Sequence, residues 1–237
     1  MTTTGTTTFN LDIVNLLEEA YERCGVEMRT GYDFRTARRS LNLLTMSWAN
    51  RGINLWTIEE GTIAMVQGTL SYNLPIDTVD LIDQVIRTDS GTTNQADINI
   101  TRISVDTYST IPNKLAQGFP IQVWVNRQSG QTEPVSGINY PQINVWPVPD
   151  QSSTYDFVYW RLRRVQDAGT GLTTQDVPFR FLPALVSGLA YHLALKIPEA
   201  MNRIEMLKAI YDEDWQMAAD EDREKADLRI VPRNNFY

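Results

Sequence analysis

Apolar residues recur every three or four positions near both ends of the chain and every second position between them, a pattern that predicts helices outside and strands inside. The first helix is expected to start after Asn10, a residue able to cap it, with Phe9 and Val14 placed to form a hydrophobic staple, and to stop at Gly25. Leu11, Val14, Leu17, Tyr21 and Cys24 form its apolar stripe, with Glu18, Glu19 and Glu22 outside it. A second helix, capped by Asp33, steps through Phe34, Ala37, Leu41, Leu44 and Trp48 and ends before Gly52, with Arg35, Arg38 and Arg39 off the stripe. From about Trp56 to Val165 the period is two, as in Leu70/Tyr72/Leu74, Ile121/Val123/Val125 and Phe157/Tyr159. With Gly, Pro, Asn and Asp between the runs, this reads as roughly six to eight antiparallel strands.

Helical spacing returns after Pro178. Leu182, Leu185, Val186, Leu189 and Leu193 mark one side of that helix, and Phe181, Ala184, Tyr191 and Leu195 mark others. A helix apolar nearly all round belongs at the centre of a bundle. Pro198 interrupts the chain, and a last helix carries Met201, Ile204, Leu207, Tyr211, Trp215 and Ala218 as its stripe. The fold class is therefore α+β, a helical bundle made from both chain ends (10–55 and 177–226) with an inserted antiparallel β-sandwich or barrel (56–176). Residues 1–9 read as a flexible tail and 227–237 as a second tail of different character.

Charge narrows the function. Twenty-nine acidic residues oppose 21 basic ones, for a net charge of -8, which argues against a protein that grips nucleic acid, although an acidic chain can border DNA without holding it. The single cysteine, Cys24, forms no intrachain disulfide and no Cys-based zinc site, which suits folding in the cytoplasm. The Thr-rich start lacks the basic and apolar regions of a signal peptide, and no stretch has the length of a membrane span.

Little in the sequence suggests catalysis. The one histidine, His192, lies in the most apolar helix and reads as a core or interface residue. Without a second histidine the usual triads and zinc motifs are improbable, and neither GxGxxG nor GxxxxGK[ST] occurs. A glycosidase needs only two carboxylates, but adjacent Glu59 and Glu60 in a strand point to opposite faces, and nothing closed is indicated around Asp80 and Asp83. Trp124, Trp146 and Trp160 can stack on sugar rings or fill a core or subunit interface. Two basic clusters, Arg35/Arg38/Arg39 and Arg161/Arg163/Arg164, are each a solvated or salt-bridged face or an intersubunit contact. From Asp212 to Asp227 eight acids face only Arg223 and Lys225, a solvated run, a channel lining, or a partner for a neighbour's arginines.

Two stretches carry a resemblance. Ala37-Arg-Arg-Ser-Leu-Asn-Leu-Leu-Thr-Met-Ser-Trp-Ala-Asn-Arg-Gly52 joins an Ala-Arg-Arg helix to an Arg-Gly exit, and Trp56-Thr-Ile-Glu-Glu-Gly61 opens a strand. Together with the final helical pair and its acidic run, they resemble the tail tubular protein A and head-to-tail adaptor group of short-tailed bacteriophages. The resemblance implies a non-enzymatic virion neck protein, assembled in the host cytoplasm. It would form a dodecameric ring between the portal protein and the tail nozzle protein, extending the DNA channel for genome retention and ejection. Passing DNA would not be bound sequence-specifically, and neither cofactor, metal nor membrane is implied. It also implies that the C-terminal segment engages the portal, through Arg229, Ile230, Val231, Pro232, Arg233, Phe236 and Tyr237, while Arg35, Arg38 and Arg39 are placed at the subunit interface. Ordering such a tail on a partner buries large apolar side chains at about 1.5–3 kcal/mol each. The competing readings are a virion-associated peptidoglycan hydrolase and a carbohydrate-binding tail module.

Overall fold

The computed structural model describes residues 3–51, 55–127 and 140–222. Two helices come first, α1 (Ile13–Cys24) and α2 (Gly31–Ala49). The middle of the chain then holds β1 (Ile58–Ala64), β2 (Ser71–Asn73), β3 (Thr78–Thr88), β4 (Ala96–Asn99), β5 (Thr101–Arg102), a short helix α3 (Val105–Thr110), β6 (Gln122–Asn126), β7 (Gln142–Trp146) and β8 (Tyr155–Arg163). Two further helices follow, α4 (Leu182–Ala194) and α5 (Ile204–Glu221). The class is α+β. By compactness the chain forms one unit from its two ends, up to Trp56 and from Val165, and another from Thr57 to Arg164.

In the helical unit, α4 packs against α1, α2 and α5. Ten of its 13 residues are buried, as expected of a helix with almost no polar face. Gly188 makes this approach feasible, because a Cβ there would fall 2.7 Å from the Tyr211 ring and 3.1 Å from Leu44. Ala37, Leu41, Leu44 and Trp48 of α2 and Leu207, Tyr211, Trp215 and Ala218 of α5 face the same core. Trp48 meets both Phe181 and Trp215 and donates its indole N–H to the Tyr211 hydroxyl at 2.9 Å.

Several boundaries differ from expectation. Asp12, not Asn10, caps α1 by accepting from the Asn15 N–H at 2.7 Å, while Asn10 accepts from Leu11. Phe9 is 78% exposed and staples nothing. The buried stripe of α1 is Ile13, Leu16, Leu17, Ala20, Tyr21 and Cys24, leaving Leu11 and Val14 at its shoulder, because residues 171–173 pair with the start of the helix through Ile13 and Val14. Gly25 ends α1 as expected, at φ 82°, where a residue with a Cβ is strained. For α2 the cap is Thr30, and Asp33 completes a capping box. A 3₁₀ segment, Pro198–Arg203, separates α4 from α5, which leaves Met201 outside the last helix and exposed.

The β unit contains two four-stranded sheets, ordered β1-β8-β3-β4 and β2-β7-β6-β5. Side chains of both sheets, among them Tyr72, Leu81, Ile86, Val123, Ile143, Phe157 and Tyr159, share one core. The first sheet is antiparallel throughout, but β5 pairs with β6 in parallel, so the second is mixed and the all-antiparallel expectation is corrected. The chain leaves that edge strand by way of α3 before returning along β6, a crossover that parallel neighbours require.

Candidate functional site

The capping box at Thr30 and Asp33 fixes where α2 begins, and its buried stripe fixes which side faces outward. Arg35, Arg38 and Arg39 come together on that outer side, lining with Tyr32, Thr36 and Asn42 a shallow cleft of about 390 Å³. Arg38 is half-buried, and its guanidinium donates to the Gly169 carbonyl at 3.4 Å. Arg35 and Arg39 are exposed and form no hydrogen bond or ion pair among the described residues. Two exposed guanidiniums one helical turn apart make this face receptive to carboxylates or phosphates.

The second basic cluster is committed inside the chain. Arg161 is 8% exposed. It donates to Asp77 at 2.5 Å, to Thr78 at 3.0 Å and to Glu59 at 2.8 Å, while Arg163 donates to the other Glu59 oxygen at 2.6 Å. Burial alone would raise the Asp77 carboxyl, but the hydrogen bonds and charge of Arg161 outweigh it and hold Asp77 below the usual carboxylate range. The Arg164 backbone N–H donates to the Asp77 carbonyl at 2.8 Å. Of the carboxylates considered for acid and base chemistry, Glu59 thus has both oxygens engaged, and Asp80 is paired with Arg102 and Arg127. Asp83 accepts from the Gln84 N–H, and Glu60 lies opposite Trp160, one residue along from the Glu59–Arg161 pair. No two of them share a closed site.

Trp124 stacks on Tyr108 with ring centres 4.8 Å apart, Trp146 donates to the Asn113 carbonyl at 3.0 Å, and Trp160 is half-buried on β8. His192 stands edge-on to Tyr191 near the end of α4, its pKa pushed down by burial and then by the charges of Lys196 and Arg51. Cys24 is buried, donating to the Ala190 carbonyl, and burial pushes its thiol up to about 11. The acidic run begins as the outer side of α5, with Asp212, Glu213, Asp220 and Glu221 exposed, and turns inward at Asp222, which pairs with Arg180. Arg229, Ile230, Val231, Pro232, Arg233, Phe236 and Tyr237 lie outside the described residues.

A second apolar pattern lies outside the core stripes. Tyr32, Leu43 and Met46 on α2 and Met206, Ile210 and Met217 on α5 are large apolar residues facing outward. Their signal is in the sequence as a second stripe on each helix, legible once the buried side is known. Among the described residues no cluster of His, Cys, Asp or Glu is arranged to hold a metal ion, and no helix is long and apolar enough to cross a membrane.

A comparison with curated proteins finds no match. The model of one family, described as SU10 adaptor protein, matches residues 12–233. That span takes in both helical ends and the whole β unit, including the Ala37–Gly52 and Trp56–Gly61 stretches that carried the resemblance. A match of that extent settles the family, and the chain belongs to the SU10 adaptor proteins, structural adaptor components of phage.

Proposed function

We propose that this adaptor is the head-to-tail connector of the virion neck, twelve copies joining in the host cytoplasm as a ring between the portal protein and the tail nozzle protein. The ring extends the channel through which the genome is retained and later ejected. The observation that carries this reading is the adaptor-family match along almost the whole chain. An exposed arginine face on α2 with no acidic partner among the described residues supports a subunit interface at Arg35, Arg38 and Arg39. The ending Arg229-Ile-Val-Pro-Arg-Asn-Asn-Phe-Tyr237 joins two cations to four large apolar anchors, a composition suited to ordering on the portal. Individually weak tails become one firm joint when a ring presents many of them together.

Light-scattering mass after size-exclusion chromatography tests this, with the portal ring of the same genome as partner. The chain alone should run as a monomer and should join the portal in ring stoichiometry, and a chain ending at Ala226 should stay monomeric and leave the portal bare. A full-length chain that ignores the portal would overturn the connector reading, and a shortened chain that still binds would remove the tail from it.

A further inference from the structure

The outward sides of α2 and α5 match each other. On α2 the exposed stripe runs Tyr32, Arg35, Arg39, Leu43, Met46, and on α5 it runs Met206, Ile210, Glu213, Met217 and then Asp220 and Glu221. Both advance by steps of three and four, the spacing with which two helices pack side by side. Leu43, Met46, Met206 and Met217 are each more than half exposed, an unusual density of large apolar groups on two helix backs. Each stripe covers about 20 Å of helix. Charge is divided between them, since α2 carries Arg35 and Arg39, whereas the outer side of α5 carries Asp212, Glu213, Asp220 and Glu221 around its apolar residues.

We infer that α2 of one copy docks antiparallel on α5 of the next, and that this pair of helices is the repeating joint of the assembly. The register follows from the residues. Met46 set against Met206 places Leu43 against Ile210, Arg39 against Glu213, and Arg35 against Met217, between Glu213 and Glu221, which lie a turn to either side. Tyr32 then reaches Asp220. Leu43 and Met46 meet Ile210 and Met206, both arginines reach carboxylates, and Met217 lies along the apolar stem of Arg35. Parallel pairing would put Arg35 beside Ile210 and set Asp220 and Glu221 against Met46 with neither stripe arginine opposite them, whereas the antiparallel register gathers the arginines and carboxylates at one end and the apolar pairs at the other. Symmetric joints are disfavoured by charge, because α2 on α2 opposes arginines and α5 on α5 opposes carboxylates. What remains is a contact between two different faces of the same chain, which leaves one face open at each end and so closes only as a ring or continues as a filament.

This inference rests on the connector reading for its setting, and the test keeps the two apart. The single cysteine is buried, so new cysteines report cleanly. Leu43→Cys chains are mixed with Ile210→Cys chains at a concentration far above that of the chromatography and mildly oxidised, so that a joint too weak to outlast size exclusion is still trapped. With and without the portal ring, they should give disulfide-linked mixed dimers at least fivefold above same-variant dimers. A yield no higher than that of Leu43→Cys with Val79→Cys, an exposed position on the β unit, would overturn the joint. On the portal, Arg35→Glu with Arg39→Glu should raise the concentration for half-filling at least tenfold, and adding Glu213→Arg to the same chain should restore most of it. Reversed charges that fill the ring like the natural chain would also overturn the joint. If the natural chain ignores the portal, the connector reading falls, and the cross-linking without portal still decides between joint and no joint.

Discussion

The helical unit and the β unit hold their interiors by different means. Around α4 the helices meet through aromatic rings: Trp48, Phe181 and Trp215 touch in a triangle with ring centres 4.7–5.7 Å apart, and Trp56 extends the seam to Phe181. Charge enters at the edge of this core, where Arg51 lies over the Tyr211 and Trp215 rings and buried Asp222 pairs with Arg180. In the β unit the first sheet is clasped by ions instead, because Arg161 and Arg163 on β8 reach across to Glu59 on β1 and to Asp77 just ahead of β3. The difference follows from what each element leaves unsatisfied. A helix closes its own backbone hydrogen bonds and needs only apolar surface to find neighbours, whereas three strands brought together from residues 59, 77 and 161 need a device that fixes which lies beside which. Cutting the seam should therefore remove packing and a neutral hydrogen bond, and cutting the clasp should remove a term that depends on charge and pH.

The largest expected effect comes from breaking the seam. Trp48 is fully buried, so Trp48→Ala leaves a large cavity and also strips the Tyr211 hydroxyl of its indole donor. It should destabilise the helical unit by about 3–5 kcal/mol. In a denaturant titration followed by near-ultraviolet circular dichroism, the transition of the helical unit should move to lower denaturant while that of the β unit stays in place. Simultaneous loss of both would show that the units do not unfold separately.

Breaking the clasp should cost less. Removing one partner of a fully buried ion pair costs about 3–5 kcal/mol, but the side chains of Glu59 and Asp77 are 44% and 41% exposed and water compensates part of the loss. Arg161→Met, which keeps most of the apolar stem, should therefore destabilise the β unit by about 1–3 kcal/mol. The helical transition should not move. Raising salt should narrow the gap between variant and natural chain, because the variant has already lost the Arg161 attractions that salt screens. A gap unchanged between low and molar salt would assign Arg161 a packing role rather than an ionic one.

The sequence disclosed the two parts unequally, for a physical reason. Core positions such as Ala37, Leu41, Leu44 and Trp48 are periodic within one helix, so they were legible without knowing what they pack against. Helix starts were not, since Asn10 and Asp12, or Thr30 and Asp33, are equally fit to cap, and the choice depends on residues 171–173 for α1 and on a reciprocal box for α2. The Arg161 clasp was hidden because its partners lie 84 and 102 residues away, and strand periodicity says nothing about non-local pairing. A two-residue strand such as β5 carries no period at all. Of the surface residues, Arg35 and Arg39 were legible as off-stripe charges, whereas the apolar backs of α2 and α5 became visible only when burial assigned the other side of each helix to the core.

The smallest effect separates the units by pH. In the helical unit His192 has its pKa lowered by burial and by Lys196 and Arg51. The unfolded chain therefore takes up a proton near the ordinary histidine value of about 6.5 while the folded chain resists it. The stabilisation is present above that value and is lost as pH falls toward the lower folded value. In the β unit Asp77 is also lowered, by Arg161, and its contribution is present above the ordinary aspartate value of about 3.9 and is lost as pH falls through the folded value. Acid should thus weaken the helical unit first, in a mildly acidic window, and the β unit only in the carboxylate range. Urea midpoints of the two transitions measured from pH 8 down to 3 would show it. His192→Gln should flatten the first limb and leave the second, and Asp77→Asn should flatten the second and leave the first. If instead both limbs respond to the same substitution, the ion clasp and the helical seam belong to one cooperative structure, and the contrast between the units is one of chemistry only, not of stability.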